Sequence, residues 1–190
     1  LAQRLGVEAR ILPMSDDPVR TRVRTRDGWL TFQEYFVREK ALPEPLEVAY
    51  AGAETARPAP GVLEAIGEAD LVVVCPSNPV TSVGPILAVA PVADGLAAAR
   101  ARVVAVSPIV GEAAVSGPAA ALMKARGLPV SPLGVAAAYA PWLDALLIDA
   151  RDAPLAPALA RAHVTAVVAE ILMTDRAREV ALARRVLEAA

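Results

Sequence analysis

Ser77, Asn78, Thr81 and Ser82 stand within six residues, directly after the apolar run Leu71-Val72-Val73-Val74-Cys75-Pro76. Their uncharged donors can hold phosphate oxygens or the edge of a base. Gly84 closes the run, removes a side chain and permits close backbone approach. A helix opening near Pro85 would turn its positive end towards this loop and favour an anion there. A plain strand-to-helix connection needs fewer polar residues than this for capping, so the ligand-binding reading is preferred. A second loop, Ser107-Pro108-Ile109-Val110-Gly111, follows the run Val103-Val104-Ala105-Val106, and Ser116-Gly117-Pro118 comes soon after. Ser116 reads equally well as a ligand contact or as an N-cap. An open α/β sheet ends its strands at a ligand crevice, so both loops are expected to line one small-molecule site.

Met14-Ser15-Asp16-Asp17-Pro18, with Arg20 and Arg22, forms a third polar cluster. Adjacent carboxylates can bind a divalent ion or hydrogen-bond a polyol, but side chains on consecutive residues diverge. Taken alone, this cluster favours an Asx-turn into the next strand. Trp29, Phe32, Tyr35 and Phe36 read as a small core under a hairpin, with Trp29 also able to wall a flat ligand. Asp149 and Glu170 follow strand-like runs and are candidate or merely solvated acids. Cys75 reads as a buried small residue, and His163 as the start of a strand.

These loops need a scaffold, and the pattern supplies one. Residues 10–12 read as a short strand. Val19 to Thr25 alternates as a half-exposed strand does. Asp27-Gly28 signals a hairpin turn into a returning strand, Trp29 to Phe32. Gln33 to Lys40 fits a short helix that packs Tyr35 and Phe36 inward, and Val48 to Tyr50 fits another strand. From residue 60 onward strands alternate with helices. The strands are Asp70–Cys75, Arg102–Ser107, Ala145–Asp149 and His163–Ala169. The helices open at Pro60, run over Ile86–Arg100 with a break at Pro91, and then cover Pro118–Arg126, Val135–Trp142, Pro154–Ala162 and Asp175–Ala190, the last capped by Asp175 or Thr174. This is a Rossmann-like α/β chain: one open, mainly parallel sheet, helices on both faces, and an antiparallel hairpin insert. Residues 1–190 read as one domain.

The apolar share of 55% excludes a disordered chain. No window holds the about 18 uninterrupted apolar residues a membrane span needs. A net charge of −2 gives no electrostatic case for nucleic acid or an anionic membrane. One cysteine excludes an internal disulfide framework and fits a reducing cytoplasm. One histidine excludes His-rich zinc sites and argues against a Ser-His-Asp relay. Leu1-Ala2-Gln3-Arg4-Leu5-Gly6 reads as the end of a helix with a glycine stop, so further chain is expected upstream.

In order along the chain, Leu12-Pro13-Met14-Ser15-Asp16-Asp17-Pro18-Val19-Arg20-Thr21, Gly28-Trp29-Leu30, Phe32-Gln33-Glu34-Tyr35-Phe36-Val37, Ala56-Arg57-Pro58-Ala59-Pro60-Gly61-Val62, Ser77-Asn78-Pro79, Gly84-Pro85-Ile86-Leu87 and Ser107-Pro108-Ile109-Val110-Gly111 together resemble the 2-phospho-L-lactate transferase family of coenzyme F420 biosynthesis. The resemblance covers essentially the whole chain. It implies transfer of a phosphoenolpyruvyl or phospholactyl group from a guanosine diphosphate conjugate of a three-carbon acid to the ribityl hydroxyl of the deazaflavin Fo. GMP leaves, and magnesium is required. The resemblance assigns Met14, Ser15, Asp16, Asp17, Arg20 and Trp29 to the Fo side. It assigns Ser77, Asn78, Pro79, Thr81, Ser82, Gly84, Ser107 and Gly111 to the nucleotide. A homodimer is the candidate assembly.

The family's glycine-rich nucleotide loop and its following aspartate-rich region are absent, so catalytic groups are expected upstream of residue 1 and the metal ligands stay unassigned. Glu112 replaces a common glycine, Ser116 stands where lysine is frequent, and Ala169-Glu170 replaces Thr-Asp. Gluconeogenesis-factor-like regulatory proteins share the Pro-Met-(Ser/Thr)-Asp pattern but carry Gly-Pro-Gly-Ser where this chain has Cys75-Pro76-Ser77-Asn78, and they lack the Trp29 to Phe36 aromatics. A nucleotide-binding module without chemistry is the remaining reading; Fo-dependent GMP release separates it from an enzyme.

Overall fold

A computed structural model describes Arg4, Gly6 and residues 8–189. The helix end expected over residues 1–6 falls mostly outside them. Residues 10–12 form no strand. Three residues stopped by Pro13, which lacks an N–H, offer too little for a ladder. Instead the segment is tied down by a single bridge between Ser15 and Pro58.

The hairpin forms as β1 (Arg20–Thr25) and β2 (Gly28–Thr31). Its turn residues are Arg26 and Asp27, one position earlier than the Asp-Gly signal implies, because Thr25 pairs with Gly28. Gly28 takes φ +118°, a backbone conformation that favours glycine. β3 (Glu47–Ala51) pairs with the other edge of β1, so the insert is a three-stranded antiparallel sheet in the order β2-β1-β3. Val23 and Val48 face each other across that pair and are buried.

The second sheet is parallel. Its strands are β4 (Leu71–Val74), β5 (Arg102–Val106), β8 (Ala145–Ile148) and β9 (Thr165–Val168), in that order. β8 is buried throughout and β5 over four of its five residues, as expected for strands covered on both faces. Alternation divides them between two layers. Val103, Ala105, Leu146 and Ile148 join the larger core, whereas Val104, Val106, Ala145 and Leu147 face the opposite side.

The larger layer holds α1 (Val62–Gly67), α2 (Gly84–Leu87), α3 (Ala90–Ala98), α4 (Ala119–Ala125), α5 (Pro132–Ala138) and α6 (Ala156–Arg161). The other face is covered by α7 (Arg176–Glu188) through Leu182 and Val186. Helices on both faces of a parallel sheet are the architecture that the sequence pattern predicts.

Several boundaries move for identifiable reasons. α1 starts two residues after Pro60 because Gly61 sits at φ +88°. α5 begins at Pro132, in the first turn where proline is tolerated, and stops before Pro141. His163 does not start a strand: at φ +62° it ends α6 in the left-handed region. Asp175 caps α7, accepting from the Arg178 N–H at 2.9 Å. Among the described residues no single helix is long and apolar enough to cross a membrane.

Candidate functional site

All four strands of the second sheet run parallel, so their C-terminal ends share one edge. A cavity of about 420 Å³ opens at that edge. Pro76, Ser77, Asn78, Thr81 and Ser82 enter it from the end of β4, and Ser107 and Pro108 from the end of β5. Val115 to Ala119 form another side, Ile171 to Met173 close it from beyond β9, and Phe32 and Phe36 reach it from the antiparallel sheet. The two loops singled out in the sequence therefore meet. Among the described residues this lining holds no charged side chain. It offers a ligand neutral donors, aromatic faces and apolar contact.

Asn78 builds its own loop. Its Oδ1 accepts from the N–H groups of Val80 at 2.9 Å and Thr81 at 3.3 Å. That caps a π-helical turn, Pro79–Val83, with proline in the first position. The amide nitrogen is the part of Asn78 left to donate to a ligand. A second π-helical turn, Glu34–Arg38, carries Phe36 into the same cavity. Such turns recur at functional sites because the extra residue in the turn re-aims side chains.

Other candidates lie elsewhere. Pro79 and Gly84 border a separate cavity of about 330 Å³ with Tyr50 and Arg126. A Cβ on Gly84 would stand 2.0 Å from the Tyr50 hydroxyl, so this glycine serves packing. α2 continues directly from the Pro79–Val83 turn, so the helical segment is Pro79–Leu87 and opens at Asn78 and Pro79 inside the loop, not near Pro85. Met14 borders a third, largely apolar cleft of about 560 Å³, which shares Ser77 and Ser82 with the first. Ser15 donates to the Arg57 carbonyl at 2.6 Å, and Asp17 accepts from the Arg57 N–H at 2.9 Å. These two residues pin their own loop. Asp16, Arg20 and Trp29 line none of these three cavities.

The aromatic group is not one small core. Tyr35 is 0% exposed, but Phe36 is 44% exposed and Trp29 is half-exposed. Cys75 is exposed as well; it follows β4, which has a strand partner on one side only among the described residues.

Ser107 is 1% exposed, and its hydroxyl bonds Ile109 twice, accepting from the N–H at 3.1 Å and donating to the carbonyl at 2.8 Å. It shapes the loop more than it reaches out of it. Gly111 lies outside the cavity lining at the tip of a tight hairpin, β6 (Ile109–Val110) with β7 (Ala113–Ala114). Gly111 and Glu112 both take positive φ, as a two-residue turn of this kind demands. The Gly111 N–H is already used: both carboxylate oxygens of Asp152 accept from it, at 3.1 and 3.2 Å.

Asp152 escaped the sequence reading because its partner is 41 residues away. It is 4% exposed and sits in a 3₁₀ turn, Ala150–Leu155, that Asp149 caps. The Arg151 side chain, and then its backbone N–H, hold the Asp149 carboxyl below the usual carboxylate range. This pairing adds stability above the unfolded carboxyl value of about 3.9 and is lost as the pH falls through the lower folded value. Replacing Asp152 with alanine is expected to strand the Gly111 N–H and cost about 1–3 kcal/mol. Asp152→Asn keeps an acceptor and should recover most of that loss in a thermal melt. Equal melting of both variants with the parent would remove Asp152 from this role.

Ser116 does not cap α4, whose N-cap is Pro118 without a side-chain bond. Ser116 lines the cavity instead.

The family model described as 2-phospho-L-lactate transferase CofD matches residues 1–188. The chain belongs to this family. A 2-phospho-L-lactate transferase of Methanosarcina barkeri is 43% identical over 187 residues, which cover 98% of this chain and 60% of that protein. A phosphoenolpyruvate transferase of Kitasatospora aureofaciens is 43% identical over 192 residues, with the same two coverages. A solved UPF0052-type structure, a Bacillus halodurans protein, matches with a TM-score of 0.66 at 17% identity, over 98% of this chain and 64% of that one, and shares the fold. The chain thus spans about three-fifths of the length of these curated relatives.

Magnesium, implied by the resemblance, does not fit the residues at hand. Among the described residues no three His, Cys, Asp or Glu side chains gather; Asp17 is engaged with Arg57 and Asp152 with the Gly111 N–H.

Proposed function

We propose that the full-length protein transfers a phosphoenolpyruvyl or phospholactyl group from a guanosine diphosphate conjugate to Fo, and that the cleft at the sheet edge receives part of those substrates. The observation that carries this reading is the match of the family over residues 1–188, together with the convergence of the Ser77–Ser82 and Ser107–Ala119 segments on one cavity. In this reaction a ribityl oxygen forms a bond to the distal phosphorus while the bond from that phosphorus to the GMP oxygen breaks. The hydroxyl proton departs and GMP leaves. Positioning and charge neutralisation dominate such transfers. The neutral donors of Ser77, Thr81, Ser82 and Ser116 suit positioning. Neutralisation of the diphosphate belongs to groups beyond this lining, which is why we propose that these 190 residues alone do not turn over.

The Methanosarcina barkeri and Kitasatospora aureofaciens relatives, named for different three-carbon groups, are each 43% identical, so the donor is tested both ways. Full-length protein incubated with Fo and each conjugate should yield, by mass spectrometry, a deazaflavin carrying the phosphorylated three-carbon acid from at least one donor. A protein that binds the conjugate yet forms no such product from either one fits the regulatory module instead.

A further inference from the structure

We infer that Phe36, backed by Phe32, is the stacking wall of this cleft and selects a ligand carrying a planar fused heteroaromatic ring. Phe36 is 44% exposed although its neighbour Tyr35 is 0% exposed, so the turn sinks one aromatic and presents the next. The two phenylalanine rings lie 5.6 Å apart and only 3° from parallel. Both line the cavity. Their platform is fixed. The Glu34 carboxylate accepts from the Thr31 N–H at 2.8 Å and its hydroxyl at 3.0 Å, and it pairs with Arg38 at 3.1 Å. A rigid aromatic that lines a cleft loses little freedom on packing against a flat ring. The described lining points the same way: beside the two phenylalanines stand the neutral donors of Ser77, Asn78, Thr81 and Ser82, which suit the polar edge of such a ring.

This inference rests on the transferase reading, in which two substrates carry such a ring: the guanine of the donor and the deazaflavin of the acceptor. The test titrates full-length protein separately with GDP and with Fo, using Phe36→Ala, Phe36→Leu and Phe36→Trp. Alanine is expected to weaken one of the two probes about five- to a hundredfold. Tryptophan should restore that affinity, and leucine, apolar without a ring, should not. The probe that responds names the ring. If the wild-type protein binds both probes and turns over while Phe36→Ala shifts neither affinity by as much as twofold, the inference fails and the transferase reading stands. Leucine binding as well as phenylalanine also overturns it, because apolar area alone would then suffice. Wild-type protein that binds neither probe overturns both. Should Phe36→Ala fold poorly in a circular dichroism melt, the leucine and tryptophan pair decides the matter.

Discussion

In the full-length protein, Asn78→Asp is expected to keep the fold and weaken binding of the guanosine diphosphate conjugate by about tenfold or more. The two halves of the Asn78 amide do different work. Oδ1 accepts from the Val80 and Thr81 N–H groups and caps the turn. An aspartate keeps that acceptor, and its charge favours the N-terminus of a helical turn. The amide nitrogen is what aspartate lacks, and a carboxylate in its place would repel an anionic ligand. Asn78→Ala removes both functions, so it should also lower stability by about 0.5–2 kcal/mol through the lost cap. Melting curves and conjugate titrations on both variants separate the roles. Undiminished affinity in Asn78→Asp would make this residue a cap and nothing more.

The largest structural effect is expected at Leu146, where alanine should cost about 2–5 kcal/mol. Leu146 is 0% exposed in β8, between β5 and β9. Its side chain points into the layer that also holds Val103, Ala105 and Leu159. Neighbours on both flanking strands and in the helices above are fixed by their own packing, so the void closes only partly. For a chain of this size the loss corresponds to a melting point lower by about 4–20 °C. Val168 on the outer strand β9 is half-exposed, and Val168→Ala should cost less than about 1 kcal/mol. Similar melting points for the two variants would contradict the placement of β8 at the centre of the sheet.

The two central strands are legible because they are buried on both faces. Val103-Val104-Ala105-Val106 and Ala145-Leu146-Leu147-Ile148 leave no polar position to disguise the strand, and Gly or Pro punctuates the helices between them. The hairpin was legible from alternation, but β3 as its third strand was not, since pairing with β1 joins residues more than twenty positions apart.

The Ser77–Ser82 loop declared itself by composition. What composition could not show is how its polar atoms are spent: Asn78 on a cap, Ser107 on its own turn, the Gly111 N–H on Asp152. Phe36 reads as core in the sequence because it stands in an aromatic group with Phe32 and Tyr35. Instead the short turn Glu34–Arg38 buries Tyr35 and leaves Phe36 half-exposed at the cleft. Ser15 and Asp17 look like ligand groups in the sequence, yet they are held by Arg57, forty positions away.

We propose that the cleft at the sheet edge serves a transferase acting on a guanosine diphosphate conjugate and Fo. It is tested most directly by GMP release from the conjugate by full-length wild-type protein, measured with and without Fo, alongside Asn78→Asp. The expected result is release that depends on Fo in the wild type and falls in the variant at limiting conjugate. Release that is independent of Fo, or absent while the conjugate binds, would contradict it.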